Sequence, residues 1–289
     1  MLKIRLNQNF IKIPPKKIGV DMGQSLSKLA YLEDHELKLH LIPTLTGIPE
    51  IKEFLESKKN QLNDFNFTGG KSFDLYRKYL KEFNANLINE FEANVKGIEF
   101  LYMLEKKADL PLSLVVTIGT GTSIVLTEDN IEHLGGSALG GGFFMGLIKA
   151  IFNIYDFGEA MTLSKKGNRY NVDLKVSDIY SPEDNRVDLL FREFTAASLG
   201  KVDEKFPLKS LKIEDFITSI ICIIGENIGT IATLMASNKK VNNIVFSGGF
   251  LKENKILKKI LSLICKVNKK NAIFLKNSEF SAAIGALLI

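Results

Sequence analysis

One arrangement of strands occurs twice in this chain, and it limits the folds that the chain can adopt. The segments IGVDMGQSLSKLAYLE, beginning at Ile18, and VVTIGTGTSIVLTEDN, beginning at Val115, each contain an apolar strand, a turn of small and hydroxyl residues, and a second strand. Helical and strand patterns alternate after each of them. Such alternation is typical of sheets covered by helices, so the sequence predicts two related α/β domains, each a mixed sheet flanked by helices.

The repeat predicts a domain boundary near residue 110. The first domain, 1–110, is expected to open with three strands between Lys16 and Thr44. A later strand in it, NLINEF, is expected to run directly into the helix EANVKGIEFLYMLEKK. The second domain, 111–289, repeats the strands and adds a long apolar helix from Ile213 to Ser237.

Composition predicts where the protein functions and what it binds. Positive charges exceed negative charges by five, but the lysines are spread over the chain, which favours small anionic ligands over nucleic acid. Cys222 and Cys265 lie in apolar runs, as buried thiols do in a reducing cytosol. The sequence shows no stretch apolar for long enough to span a bilayer. We therefore expect a cytoplasmic protein that binds neither nucleic acid nor membrane.

The two glycine turns predict a polyphosphate site between the domains. Their backbone N–H groups can contact phosphate from both sides, because glycine allows close approach. Hydroxyl groups add donors at Ser25, Thr120, Thr122 and Ser123. Further glycine clusters at Leu139 and Ser247 favour nucleotide binding, and the sequence contains no G-x-x-x-x-G-K-[ST] motif, so a P-loop is excluded.

Asp21 raises a separate question, because a carboxylate beside phosphates repels them. A Mg²⁺ ion between the two would remove the repulsion, so Asp21 is a candidate ligand to the metal or to its waters. The alternative is that Asp21 and Gly23 form only a hairpin turn.

These motifs resemble those of a known family. The arrangement is similar to the superfamily of acetate and sugar kinases, heat-shock chaperone ATPases and actin, and within it to the type II (eukaryotic-like) pantothenate kinases. GVDMGQSLSKLAY resembles the first phosphate motif of that family, NEFEANVKG its catalytic junction, and IGTGTS with GGSALGGGFFMGL its second phosphate motif. The similarity continues through NNIVFSGGFL and FSAAIGALL.

The resemblance implies a fold and an activity. The fold would be two actin-like, ribonuclease H-like domains with an ATP cleft between them. The activity would be the ATP- and Mg²⁺-dependent phosphorylation of pantothenate to 4'-phosphopantothenate, the first step of coenzyme A biosynthesis. A homodimer is also implied, with the long helix at its interface.

The resemblance also assigns a general base. Glu90 would accept the proton of the pantothenate hydroxyl, a contribution of about 10²–10⁴ in rate. Glu92 is the alternative, because the two side chains would point the same way in an extended strand. If Glu92 begins the helix instead, it would interact with the helix dipole. Lys28 would contact the transferring phosphates, or else be a surface lysine on a strand.

The remaining residues follow from the same motifs. The ATP and phosphate site would comprise Gly23, Gln24, Ser25, Lys28, Gly119, Thr120, Gly121, Gly141, Gly142, Gly248 and Gly249, with the last two on the adenosine side. Substrate contacts would come from Thr120, Ser123 and His133, and the metal ligand would be Asp21.

Two positions depart from the family pattern. Gln24 places a side chain in a turn where the family has Gly-Gly-Thr. His133 stands where the family has an arginine that contacts the acidic substrate, and histidine supplies no permanent, bidentate charge. Pantothenate would then bind more weakly, another basic residue would replace the arginine, or the acceptor would be another small alcohol such as a sugar or amino sugar. A nucleotide-binding regulator without useful turnover is the further alternative.

Overall fold

The structure is a computed structural model that describes residues 2–5, 13–81, 83–128, 131–186 and 191–289. Its first half forms one six-stranded sheet. The strands are β1 (Leu2–Arg5), β2 (Lys17–Met22), β3 (Leu26–Glu33), β4 (Glu36–Pro43), β5 (Asp64–Thr68) and β6 (Asn84–Leu87). The helices are α1 (Thr44–Lys58), α2 (Phe73–Tyr79) and α3 (Glu90–Lys106).

The second half forms a five-stranded sheet. Its strands are β7 (Ser113–Ile118), β8 (Thr122–Leu126), β9 (Glu132–Ser137), β12 (Asn243–Ser247) and β13 (Asn271–Phe274), and a small hairpin contains β10 (Leu174–Lys175) and β11 (Thr195–Ala197). The helices are α4 (Gly141–Phe152), α5 (Phe157–Ser164), α6 (Ile213–Asn238), α7 (Lys255–Val267) and α8 (Ser281–Leu288).

The two sheets share one topology. The strand order is β1-β4-β3-β2-β5-β6 in the first sheet and β13-β12-β7-β8-β9 in the second. In each sheet the first three strands of the repeat are antiparallel, and two later strands run parallel to the first of them. The predicted pair of related α/β domains with mixed sheets is confirmed.

Helices α3 and α8 lie between the sheets, and the other long helices cover the outer faces. Strand alternation on β2 explains how the inner face is built. Ile18 and Val20 belong to the outer core with α1 and α2. Gly19 and Asp21 therefore face inward, and a Cβ on Gly19 would lie 1.9 Å from the carbonyl oxygen of Ala283 in α8.

The packing of α8 joins the two ends of the chain. Each sheet takes its strands from one side of residue 110, yet α8 packs against α3 and β2 of the first half. Gly97 and Gly285 allow this approach, because a Cβ on either would lie within 1.8 Å of a carbonyl oxygen of the facing helix. The domain division at residue 110 stays a prediction.

The junction before Glu90 differs from the sequence prediction. The strand does not run through NLINEF, since β6 ends at Leu87 and α3 begins at Glu90. The reason is an N-cap: the Asn89 side chain accepts hydrogen bonds from the backbone N–H groups of Phe91 (2.8 Å) and Glu92 (3.3 Å). Glu90 and Glu92 therefore both lie in the first helical turn.

Helix α6 corrects a second expectation. By length and composition it is apolar enough to cross a membrane, contrary to the prediction that no stretch is, but 67% of its most apolar window is buried inside the protein. It belongs to the core of the second half. Cys222 on α6 and Cys265 on α7 are buried as predicted, and burial raises the pKa of each thiol to about 12.

Candidate active site

A cleft of about 810 Å³ opens between the two sheets. All but one of the site residues predicted from the sequence line it, namely Asp21, Gly23, Gln24, Ser25, Lys28, Glu90, Gly119, Thr120, Gly121, Ser123, Gly141, Gly142, Gly248 and Gly249. His133 is not among the described residues that line this cleft. The cleft therefore brings together segments that are up to 261 positions apart, from Asp21 to Ala282.

Asp21 and Lys28 form an ion pair at the floor of the cleft. They are cross-strand neighbours on β2 and β3, and Lys28 Nζ donates to Asp21 Oδ2 at 2.8 Å. Asp21 is buried and Lys28 half-buried. Asp21 Oδ1 has no hydrogen-bond donor in the described part of the chain. Gly69 has a φ of +87° and passes so close that a Cβ would lie 2.5 Å from Oδ1.

The first glycine turn is held by α1. Gly23 N–H donates to the Leu26 carbonyl at 3.2 Å, and the Thr44 hydroxyl at the start of α1 donates to the Gly23 carbonyl at 2.8 Å. Thr44 N–H also donates to the Ser25 carbonyl at 2.9 Å. Gln24 and Ser25 remain exposed at the tip of the turn. The turn is thus fixed from behind while its tip faces the cleft.

The second glycine turn is packed against the N-terminus of α4. Gly141 and Gly142 donate their N–H groups to the carbonyls of Gly119 and Thr120, each at 2.8 Å. A Cβ on Gly142 would lie 2.5 Å from Thr120 Cγ2, so this contact requires glycine. The positive end of the α4 dipole therefore lies beside the turn, an arrangement suited to anionic ligands.

The two turns meet across the cleft. Ser25 Oγ and Thr120 Oγ1 are 3.3 Å apart, although they belong to different sheets and to opposite halves of the repeat. A phosphate chain in the cleft can therefore contact both turns. This closeness is the geometric counterpart of the sequence repeat.

The far wall of the cleft contains several residues that the sequence analysis missed. It combines the Gly248 turn, where φ is +103°, with the side chains of Tyr155, Phe157, Phe250, Lys252 and Glu253. Phe157 and Phe250 are in ring contact at 6.1 Å. Aromatic residues of this kind are usually assigned to a core from sequence, and only the fold shows that they border an opening.

Glu90 faces the same cleft from the first turn of α3. Its carboxylate is accessible from the cleft. The pKa of Glu90 is raised above its ordinary value, first because the cleft walls partly remove the carboxylate from water and second because Asp21 is negatively charged. Lys28 opposes this shift. Glu92 lies in the same helical turn, but it is not among the described residues lining the cleft.

His133 lies outside the cleft lining, on a strand that neighbours β8, which carries the lining residue Ser123. It is exposed on β9, where it pairs with Val125, and its ring stacks on Phe91 with centroids 4.3 Å apart and planes 13° apart. Phe91 immediately follows Glu90. The imidazole is therefore placed against the helix that carries the glutamate, not inside the cavity.

Comparison with known proteins identifies the family. The family model described as Fumble matches residues 36–289. A type II pantothenate kinase of Bacillus anthracis is 32% identical over 278 residues, which cover 94% of this chain and 96% of that protein.

Solved structures agree on the fold. The activator of 2-hydroxyisocaproyl-CoA dehydratase from Clostridium difficile, with bound ADPNP, has a TM-score of 0.62 at 17% identity and covers 94% of this chain and 92% of its own. A ROK family glucokinase from Streptomyces griseus, in complex with glucose and AMPPNP, has a TM-score of 0.56 at 10% identity. That match covers 94% of this chain and 97% of the glucokinase chain. At such identities the likeness shows the actin-like fold alone. The family model and the relative from Bacillus anthracis show that the chain belongs to the Fumble family of type II pantothenate kinases.

Proposed function

We propose that this protein transfers the γ-phosphoryl group of ATP to the primary hydroxyl of pantothenate, forming 4'-phosphopantothenate in the first step of coenzyme A biosynthesis. Its family membership supports the reaction. The observation that carries the proposal is the convergence of Asp21, Lys28 and Glu90 in one cleft, beside two glycine turns whose hydroxyl groups are 3.3 Å apart.

ATP would lie along the glycine turns. The Gly23, Gly141 and Gly142 N–H groups already donate to carbonyls, so the tips of the two turns, at Gln24 and Ser25 and at Thr120 and Gly121, would contact the phosphates. The positive end of the α4 dipole would favour their negative charge. The adenosine would lie at Gly248 and Gly249, next to the aromatic wall formed by Tyr155 and Phe157. Lys28 would neutralise charge on the transferring phosphoryl group, since such transfers depend mainly on positioning and charge.

Asp21 fits a hydrated Mg²⁺ ion. Magnesium in kinase sites is usually held by one or two carboxylates together with phosphate oxygens and waters. Asp21 offers a carboxylate at the floor of the cleft whose Oδ1 has no donor among the described residues. When bound, the ion would shield the negative charge of the phosphates from Asp21.

Glu90 would act as the general base. Its carboxylate faces the cleft at the start of a capped helix. It lies close enough to Asp21 and Lys28 for both charges to shift its pKa. A raised pKa strengthens a carboxylate as a proton acceptor. The acceptor hydroxyl would lose its proton to Glu90 as its oxygen attacks the γ-phosphorus and ADP leaves.

A homodimer belongs to the same proposal. Phe143 and Ile151 on α4 and Leu234 on α6 are exposed apolar side chains on two helices that pack against each other. Burying them in a symmetric contact would remove apolar surface from water.

The proposed reaction predicts pantothenate-dependent release of ADP. Purified protein with Mg-ATP should turn over at about 1–10³ s⁻¹, the common range of enzymes, when pantothenate is added. A panel of sugars and amino sugars tested in parallel should give no comparable rate. Turnover with a sugar alone would favour the alternative acceptor, and tight ATP binding without turnover on any acceptor would favour a regulator.

His133 predicts a change that should improve the acceptor site. If its position holds the acidic end of pantothenate, His133→Arg restores a permanent, bidentate charge, and the KM for pantothenate should fall about tenfold. The KM for pantothenyl alcohol, which lacks the carboxylate, should not change. His35→Arg adds the same charge at the exposed turn between β3 and β4, away from the cleft lining, and serves as the control. An unchanged pantothenate KM in His133→Arg would remove His133 from the substrate site.

A further inference from the structure

Asn94 is a cleft residue that neither the motifs nor the proposed mechanism uses. It lies four residues after Glu90 on α3, so both side chains are on one side of the helix, and both line the cleft. Side chains on a helix lean toward its N-terminus. The Asn94 amide is therefore directed toward the end of the helix that carries Glu90.

The amide is held in one orientation by α8. Ser281 Oγ donates to Asn94 Oδ1 at 2.7 Å, and both side chains are buried, at 2% and 4% exposure. The contact is rigid because α3 and α8 approach closely: a Cβ on Gly97 would lie 1.8 Å from the Ser281 carbonyl oxygen. With Oδ1 accepting from Ser281, the Nδ2 hydrogens are the donors that Asn94 can offer to a ligand.

The Nδ2 group has no protein acceptor among the described residues. It is also not among the fully buried side-chain nitrogen and oxygen atoms that lack a partner, so it is open to the cleft. A buried amide without an acceptor is unfavourable. Because the cleft borders Asn94, a molecule in the cleft can supply that acceptor. Because Asn94 and Glu90 lie one helical turn apart on the same side of α3, the free donor would lie next to the acceptor alcohol that Glu90 deprotonates.

The surrounding charges indicate which kind of oxygen would accept the hydrogen bond from the Asn94 amide. Glu90 is one helical turn from Asn94, Glu279 is two residues before Ser281, and both carboxylates line the cleft together with Asp21, whose charge is paired with Lys28. An anionic group beside Asn94 would meet these carboxylates, whereas a neutral hydroxyl or carbonyl oxygen would not. The neutral oxygen is therefore favoured.

We propose that Asn94, oriented by Ser281, donates a hydrogen bond to a neutral hydroxyl or carbonyl oxygen of the acceptor, and thereby selects alcohols that carry such an oxygen near the reacting hydroxyl. Pantothenate has both a secondary hydroxyl and an amide carbonyl near its primary hydroxyl. This inference rests on the proposed function and adds to it a residue that determines acceptor specificity.

Steady-state kinetics of Asn94→Ala test the proposal. The KM for pantothenate should rise about tenfold, the usual loss of one hydrogen bond, with the KM for ATP unchanged. Ser281→Ala should give a smaller rise, because the amide remains but can rotate. Asn227→Ala, an exposed asparagine on α6 outside the cleft lining, should leave both KM values unchanged. A pantothenate KM equal to wild type in Asn94→Ala, or a loss confined to kcat, would overturn the inference.

Acceptor analogues make the test specific and independent of variant folding. One analogue lacks the secondary hydroxyl of pantothenate, and another has a methylene in place of the amide carbonyl. Wild-type protein should lose affinity for the analogue that lacks the contacted oxygen, and Asn94→Ala should lose nothing further with that analogue. Equal losses in Asn94→Ala with pantothenate and with both analogues would contradict a direct contact. Wild-type protein without pantothenate turnover would instead overturn the proposed function itself, so the two failures are distinguishable.

Discussion

Glu90→Gln is expected to lower kcat for pantothenate phosphorylation by about 10²–10⁴ while leaving the KM for ATP unchanged. Glutamine keeps the size of the side chain but accepts no proton from the attacking hydroxyl. Glu92→Gln is the matched control, because Glu92 is in the same helical turn but not among the described residues that line the cleft. Comparable losses in both variants would assign the effect to the start of α3 and not to a base at Glu90.

The pH dependence of the same reaction gives a second readout of Glu90. Burial and the charge of Asp21 raise the pKa of Glu90, so kcat/KM for pantothenate should fall on its acid side at a pH above the ordinary glutamate value of 4.5. Glu90→Gln should lack this acid limb. A raised carboxyl pKa favours the folded state below the unfolded pKa and loses that contribution as pH rises through the folded value. At neutral pH the glutamine variant should therefore unfold at a temperature no lower than wild type, which excludes misfolding as the cause of its lost activity.

Gly285→Ala is expected to lower the free energy of unfolding by about 1–3 kcal/mol or more, because the new methyl group overpacks a close helix contact. An ideal Cβ at Gly285 would lie 1.7 Å from the Ala93 carbonyl oxygen, so α8 must move away from α3. The sign of the change in the free energy of unfolding distinguishes a close contact from an open one. Alanine in place of glycine inside an unhindered helix stabilises the protein by about 0.5–1 kcal/mol.

Gly146→Ala supplies that unhindered comparison. Gly146 lies inside α4, is exposed, and has no heavy atom within 4 Å of an added Cβ. Urea unfolding of the two variants should move the free energy in opposite directions. A stabilised Gly285→Ala protein would show that α3 and α8 are not in the close contact described above.

Local sequence patterns predict the strand repeat and the glycine turns that line the cleft, because strands and glycine turns are local features. Asp21 lies near the end of β2, and Gly119 directly follows β7, so each glycine turn follows the first strand of its own repeat. The alternation in NLINEF predicts a strand that reaches Glu90. The Asn89 cap instead starts the helix at Glu90, and the geometry of that cap is not visible in the sequence pattern.

Other features depend on contacts between distant positions. Asn94 and Ser281 are 187 residues apart, and neither belongs to a glycine or carboxylate motif. The stack of His133 on Phe91 likewise joins β9 to α3, so no local window contains both rings. The apolar run of α6 predicted a helix, but burial within the second core, not its length, explains why it is apolar throughout.

The position of α8 sets an order of assembly during protein synthesis. Strands β2 to β6 leave the ribosome early, but the inner face of their sheet is covered partly by a helix that is translated some two hundred residues later. Nascent domains usually fold as units from the N-terminus. Part of the apolar inner face of the early sheet therefore stays uncovered until translation reaches residues 281–288.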